Sequence, residues 1–221
     1  MRFHYLSYPI TQPMPVYGGL AKPELSPVKA IKKRDSCNAW RICFENHWGT
    51  HIDGPNHFYT NGRQITAYPA DFWMFEHPQV IHVRLEPGEL LRWETISIHI
   101  HAETDLLLLK SGWSQKRNPD VYWKNNPGIH EDAGIGLRSM NYSVRAVGID
   151  WISVSSIAHR EEGRKAHRTF LDPNGKTEPV LLIEDMNMAV DLTKLTKIFV
   201  APLLVEGIDS APCTIIGCFD D

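Results

Sequence analysis

Cysteine is scarce in this chain: four among 221 residues, with no two at C-x-x-C spacing. Cys37, Cys43, Cys213 and Cys218 therefore give neither a disulfide framework nor a thiolate zinc site, and read as buried or idle thiols, with a Cys213–Cys218 bridge left open. Long apolar runs are missing too. Leu106 to Leu109 is far too short to span a bilayer, and Met1 to Pro9 lacks the apolar stretch of a signal peptide, so a soluble, cytoplasmic protein is expected. Neither sign of charge dominates: 23 Lys and Arg against 26 Asp and Glu give a net charge of -3. That balance offers no electrostatic footprint for nucleic acid or an anionic membrane and favours a small-molecule partner. Gly134-Ile135-Gly136 lacks the third glycine of a dinucleotide loop, and Ser111-Gly112-Trp113 lacks the flanking glycine of a serine-hydrolase elbow.

No internal repeat, low-complexity tract or Gly/Ser linker divides the chain, so residues 1–221 are expected to form one domain. A hydrophobic fraction of 43% supplies a sizeable core without crosslinks. Pro9, Pro13, Pro15, Pro23 and Pro27 make the first thirty residues a poor helix and predict extended surface segments. Apolar runs predict strands at Val80 to Leu85, Asp105 to Lys110, Ala146 to Ile149, Val180 to Ile183 and Lys197 to Val200. Helical spacing appears at Glu131 to Met140 and at Ala158 to Leu171, the latter ended by Asp172-Pro173-Asn174-Gly175. The pattern predicts a mixed α/β fold, a barrel-like β layer with helices packed outside.

What stands out is histidine and carboxylate crowded into one segment. His47, His51, Asp53 and His57 fall within eleven residues, all at odd positions, which share a face in an extended chain up to the turn expected at Gly54-Pro55. Imidazole and carboxylate together suit a catalytic zinc or manganese ion. A helix would also bring His47 and His51 together, but the glutamate of H-E-x-x-H is missing and Gly49-Thr50 disfavours that geometry. A second pair, His99 and His101, alternates as on a strand but has no carboxylate or cysteine partner at ligand spacing. The aromatics around the segment (Trp40, Trp48, Phe58, Tyr59, Phe72, Trp73, Phe75) fit core or subunit packing better than a pocket wall.

The segment His47-Trp48-Gly49-Thr50-His51-Ile52-Asp53-Gly54-Pro55-Asn56-His57 resembles the H-x-G-T-H-x-D-x-P-x-H signature of the cyclase-like metal hydrolases, the family of bacterial kynurenine formamidase and isatin hydrolase. Weaker resemblances follow along the chain, in Leu109 to Trp113, Val147 to Asp150, Ala166 to Leu171 and Leu182 to Met188. The resemblance implies a swivelling β/β/α fold, one metal held by His47, His51 and Asp53, and a second held by Asp53, His167 and Glu184. It makes His57 the general acid/base and Tyr17 a lining residue of the substrate pocket. His159, eight residues before His167, fits the helix element less well. The segment Asp172 to Pro179 lengthens the spacing between His167 and Glu184 beyond that of the kynurenine formamidases.

These implications give a metal-dependent amidohydrolase acting on a small aromatic formamide, an arylformamidase, as a homodimer or homotetramer carrying one or two divalent ions, zinc first and manganese second. The alternatives are hydrolysis of a cyclic amide or lactone, as in the isatin hydrolase branch, or a metal-binding protein without turnover.

Overall fold

The computed structural model describes residues 1–19, 21–117, 122–140 and 142–221. In chain order the strands are β1 (Arg2–Tyr5), β2 (Glu24–Lys29), β3 (Ala39–Cys43), β4 (His51–Asp53), β5 (Met74–Phe75), β6 (Pro78–His82), β7 (Leu90–Leu91), β8 (Leu106–Lys110), β9 (Gly128–Ile129), β10 (Ala146–Ile149), β11 (Leu181–Glu184), β12 (Leu195–Pro202) and β13 (Ser210–Phe219). The α-helices are α1 (Trp93–Ile96), α2 (Glu131–Ser139) and α3 (Arg160–Leu171).

Nine strands form one mixed sheet in the order β5-β12-β13-β4-β11-β10-β8-β6, with β1 also paired to β13. β6, β8, β10 and β11 run parallel, whereas β4 is antiparallel to both β11 and β13. The two ends of this order, β5 and β6, are separated in sequence only by Glu76 and His77. That short link draws the edges together, and both its backbone N–H groups donate to the Asp105 carboxylate, at 2.8 and 3.0 Å. The sheet is thereby a nearly closed barrel with few helices, in one domain.

Parallel strands covered on both faces read as continuous apolar runs, and Leu106-Leu107-Leu108-Leu109 is such a run. Its side chains still divide by parity. Leu106 and Leu108 join Ala146, Leu181 and Ile183 in the barrel interior, while Leu107 and Leu109 join Val147, Ile149 and Leu182 under the helices. Helix α3 covers that outer face with Gly163, Ala166, His167, Phe170 and Leu171, the i, i+3, i+4, i+7, i+8 stripe of an amphipathic helix. Burying Phe170 and Leu171 contributes roughly 1.5–3 kcal/mol each. Glu161 and Glu162 lie in its first turn, where the helix dipole favours anions, and Asp172-Pro173 follows its end.

Gly163 packs α3 closely against the loop that follows β10. A methyl group there would collide with the backbone at Ser155 Cα. We expect Gly163→Ala to cost roughly 1–3 kcal/mol, since a tight core must shift to admit it. Thermal melting checks this: an unchanged midpoint would show that the helix gives way freely.

The predicted strands at 80–85, 105–110, 146–149, 180–183 and 197–200 match β6, β8, β10, β11 and β12 to within a few residues. The run Ile98-His99-Ile100-His101 is not a strand: Ser97–His99 is a 3-10 turn after α1, with Ile98 83% exposed. Neither histidine belongs to a cluster of metal-ligating groups among the described residues. All four cysteines are free. Cys213 and Cys218 lie five residues apart on β13, about 17 Å along an extended strand and on opposite faces, so a bridge between them is sterically barred. No helix among the described residues is long and apolar enough to cross a membrane.

Candidate metal centre

The register of β4 between β11 and β13 assembles the heart of the site. His51 lies directly opposite Glu184, and Asp53 lies two residues further on, so all three share one face of the sheet. Ile52 between them points into the barrel core. The extended stretch ends there, because β4 has only three residues. The shared-face reading of odd positions therefore holds for His51 and Asp53 alone. His47 returns over Asp53 through a turn in which Gly49 adopts φ +71°, a left-handed conformation costly for other residues. His57 is brought back by the 3-10 turn Pro55–His57, where Pro55 has no N–H to lose.

The structure brings together every ligand candidate named from the sequence. Asp53 Oδ1 lies 3.0 Å from His47 Nδ1 and 3.4 Å from His51 Nε2, while Oδ2 lies 3.6 Å from His167 Nε2. Glu184 Oε1 is 3.3 Å from His167 Nε2, and Oε2 is 3.5 Å from His51 Nε2. Two sets of three ligand atoms converge within 4.8 Å: His47, Asp53 and His57, and His51, Asp53 and Glu184. This grouping crosses the division implied by family resemblance, since His51 faces both carboxylates and His57 stands with His47.

Backbone carbonyls decide which ring nitrogens are free. His51 Nδ1 donates to Gly49 O at 2.8 Å and His167 Nδ1 donates to Gly163 O at 2.7 Å, because a carbonyl only accepts. Each imidazole then turns its Nε2 toward carboxylate oxygens, an arrangement that a cation replacing the ring protons would satisfy. His51 Nε2 and Asp53 Oδ1 are buried without a hydrogen-bond partner, a costly condition in the protein alone. The residues thus fit a divalent ion bound by imidazole and carboxylate. Glu184 is itself held by Val154 N–H at 2.7 Å and Ser153 Oγ at 3.2 Å.

Asp209 is a residue that sequence reasoning missed. Its Oδ2 accepts from His47 Nε2 at 3.0 Å and His57 Nδ1 at 2.7 Å, and its Oδ1 accepts from Asn46 Nδ2 at 2.9 Å. It lies 152 residues from His57, at the turn before β13, where no local spacing ties it to the histidine segment. Only the strand pairing of β13 with β4 brings it there.

Burial works against charge on His47, but Asp53 and Asp209 outweigh it and hold the imidazole at about 10. Burial likewise opposes protonation of His167, and the Asp53 and Glu184 carboxylates raise it to about 10. Asp53 is held well below the usual carboxylate range: desolvation pushes it up, and the histidines overcome that. A raised folded-state pKa stabilises fully below the unfolded value near ~6.5 and loses that contribution as pH climbs through about 10. Metal-free protein should therefore lose thermal stability between pH 7 and 10, and metal-loaded protein, whose imidazoles are already deprotonated, much less. Melting temperatures across that range test this, and a metal-free midpoint that rises with pH would contradict it.

A cleft of about 430 Å³ opens over the cluster, lined among others by Tyr17, Phe58, Ile152, Arg160 and Arg164. Phe58 stacks on His167 at 5.0 Å between ring centroids. The other aromatics near the histidine segment lie elsewhere: Trp48 packs with Met14 and Val16, Trp73 and Phe75 fill the barrel, and Trp40 is exposed.

A nearly closed mixed-sheet barrel bearing a buried histidine–carboxylate centre on its outer face defines the class of this protein. Residues 5–156 match the family described as putative cyclase, and the chain belongs to that family. It is 29% identical over 126 residues to the kynurenine formamidase of Geobacillus thermodenitrificans (strain NG80-2), a match covering 57% of each chain. This chain thus spans little more than half the length of that relative. Among solved structures it resembles a potential metal-dependent hydrolase with cyclase activity (TM-score 0.77, 22% identity, covering 100% of this chain and 98% of that one). It also resembles isatin hydrolase A from Labrenzia aggregata (TM-score 0.80, 19% identity, covering 98% and 93%). Both likenesses are of fold.

Proposed function

We propose that the protein is a metal-dependent hydrolase that cleaves the carbon–nitrogen bond of a small aryl amide, an arylformamidase-like activity. The observation that carries this reading is the convergence of His47, His51, Asp53, His167 and Glu184 with orphaned ligand atoms buried at its centre. These five residues would hold the ion or ions, zinc in first place and manganese in second. Asp53 turns one oxygen toward His47 and His51 and the other toward His167, so its carboxylate would serve both ligand sets if two ions were held. Such an ion supplies Lewis acidity at a carbonyl and a water acidified to about neutral pH.

The remaining chemistry belongs to the chain. His57 Nδ1–H donates to Asp209, which fixes the tautomer and leaves Nε2 free to take the proton of the attacking water and return it to the leaving nitrogen. Phe58 and Ile152 give the cleft an apolar wall for an aryl group. The similarity to a kynurenine formamidase supports the amide as substrate. The exposed apolar strip Phe3, Tyr5, Met74 and Phe199 supports a homo-oligomer, which sedimentation would read directly.

The test is metal analysis of the purified protein, followed by assays of N-formylkynurenine, isatin and simple lactones with chelated and reloaded enzyme. Metal-restored hydrolysis of the formamide is the expected result. Faster opening of isatin would move the assignment to a cyclic amide, and bound metal without any turnover would overturn catalysis altogether.

A further inference from the structure

Directly after Glu184 the chain adopts two unfavourable features at one residue. Asp185 has φ +53°, a left-handed conformation uncommon outside glycine, and its carboxylate is 1% exposed. Burial pushes that carboxyl up against the opposing pull of Arg117, so a charge is costly to keep there. Arg117 meets it with a fork, Nη2 to Oδ2 at 2.6 Å and Nε to Oδ1 at 3.0 Å, and lies over the Tyr8 ring at 3.9 Å from its centroid. The Tyr122 hydroxyl also stands 3.1 Å from Oδ1. The main chain of Asp185 is tied to the metal centre. β4 and β11 pair as far as His51 and Glu184, and one step beyond, Thr50 Oγ1 donates to Asp185 O at 2.6 Å. The same Oγ1 accepts from Tyr8 N–H at 3.0 Å, so Tyr8 braces both Thr50 and Arg117.

We propose that Arg117 and Asp185 are positioning residues for the metal centre: their ion pair fixes the left-handed turn that ends β11 and so holds Glu184 opposite His51, ready to share an ion with it. The inference rests on the metal reading above and adds to it two residues that stand behind the ligands. Ser153 and Val154 hold the Glu184 carboxylate, whereas Asp185 holds the main chain that carries it. Glycine would adopt this φ more readily, but it would leave the turn without an anchor. Stability is a poor reason for such a pair, because well-packed neutral side chains in place of a buried ion pair are often neutral or stabilising. Ligand geometry is a better one, since groups that orient the ligands of a metal typically set its affinity by roughly ten- to a hundredfold.

The experiment measures zinc affinity, by competition with a chromogenic chelator, in wild type, Arg117→Lys and the double variant Arg117→Met/Asp185→Asn, beside the melting temperature of each metal-free protein. The double variant leaves no buried charge unpaired, and asparagine tolerates a positive φ, so its melting temperature should stay close to that of wild type. Its zinc affinity should nonetheless fall roughly tenfold or more. Arg117→Lys keeps the charge without the fork and should lose less. A pair that serves stability alone gives the opposite pattern, a lower melting temperature with zinc affinity unchanged. Wild-type zinc affinity in the double variant therefore overturns the proposal, whatever its melting temperature. Should that variant fail to fold, wild-type affinity in Arg117→Lys overturns it equally. Failure of the metal reading is a separate result: wild type itself would then bind no zinc, and the positioning role would fall with the centre it serves.

Discussion

Asp53→Asn protein is expected to lose its metal on purification and at least about a thousandfold in kcat/KM, near 4 kcal/mol of transition-state stabilisation. Asparagine keeps the shape of the side chain, so the fold is preserved, but it removes the one carboxylate whose two oxygens face different histidines. In the wild type, His47 and His51 hold that carboxyl ionised against full burial. Without its charge, three imidazoles converge with Glu184 as their remaining buried anion, a far poorer trap for a divalent ion. Metal content per chain and circular dichroism, measured together, check the argument. Wild-type metal content with kcat/KM within threefold of wild type would remove Asp53 from the centre.

The amino-acid sequence announces this centre unusually well, and the reason is physical. Ligands drawn from one short segment leave a local record, so His47, His51, Asp53 and His57 are legible as a set. His167 and Glu184 are legible only through family resemblance, because their distance from Asp53 is closed by α3 packing on the sheet and by the β4–β11 register. Asp209 left no record at all. A lone carboxylate after Gly207 looks like turn chemistry until β13 pairs with β4. The same divide runs through the fold. β8 and β10 are buried on both faces and show as apolar runs, while β13 forms no such run because it mixes Ser210, Pro212, Thr214 and Gly217 among its core residues. The hairpin of β2 and β3 is exposed along nearly its whole length, so hydrophobic patterning carries little trace of it. At Ile98 to His101 alternation misled, since a short helix and a 3-10 turn expose one isoleucine and bury the next.

His57→Ala should separate proton transfer from metal binding. His57 is partly exposed, with its Nδ1 committed to Asp209, and Asp53 keeps His47, His51 and His167 as partners when His57 is removed. The variant is therefore expected to retain its metal and melt within a few degrees of wild type, yet to lose about 10²- to 10⁴-fold in kcat, the usual contribution of a positioned general acid/base. Asp209→Asn sharpens the comparison. It leaves the His57 imidazole in place but removes the carboxylate that fixes its tautomer, so kcat should fall while KM stays near the wild-type value. Because Asp209 also orients His47, metal content must be measured on the same sample: a fall in kcat that tracks lost metal assigns Asp209 to the metal centre instead. Full turnover by metal-replete His57→Ala would take the proton-carrying role away from His57, and leave the histidine–carboxylate centre as the whole of the catalytic apparatus.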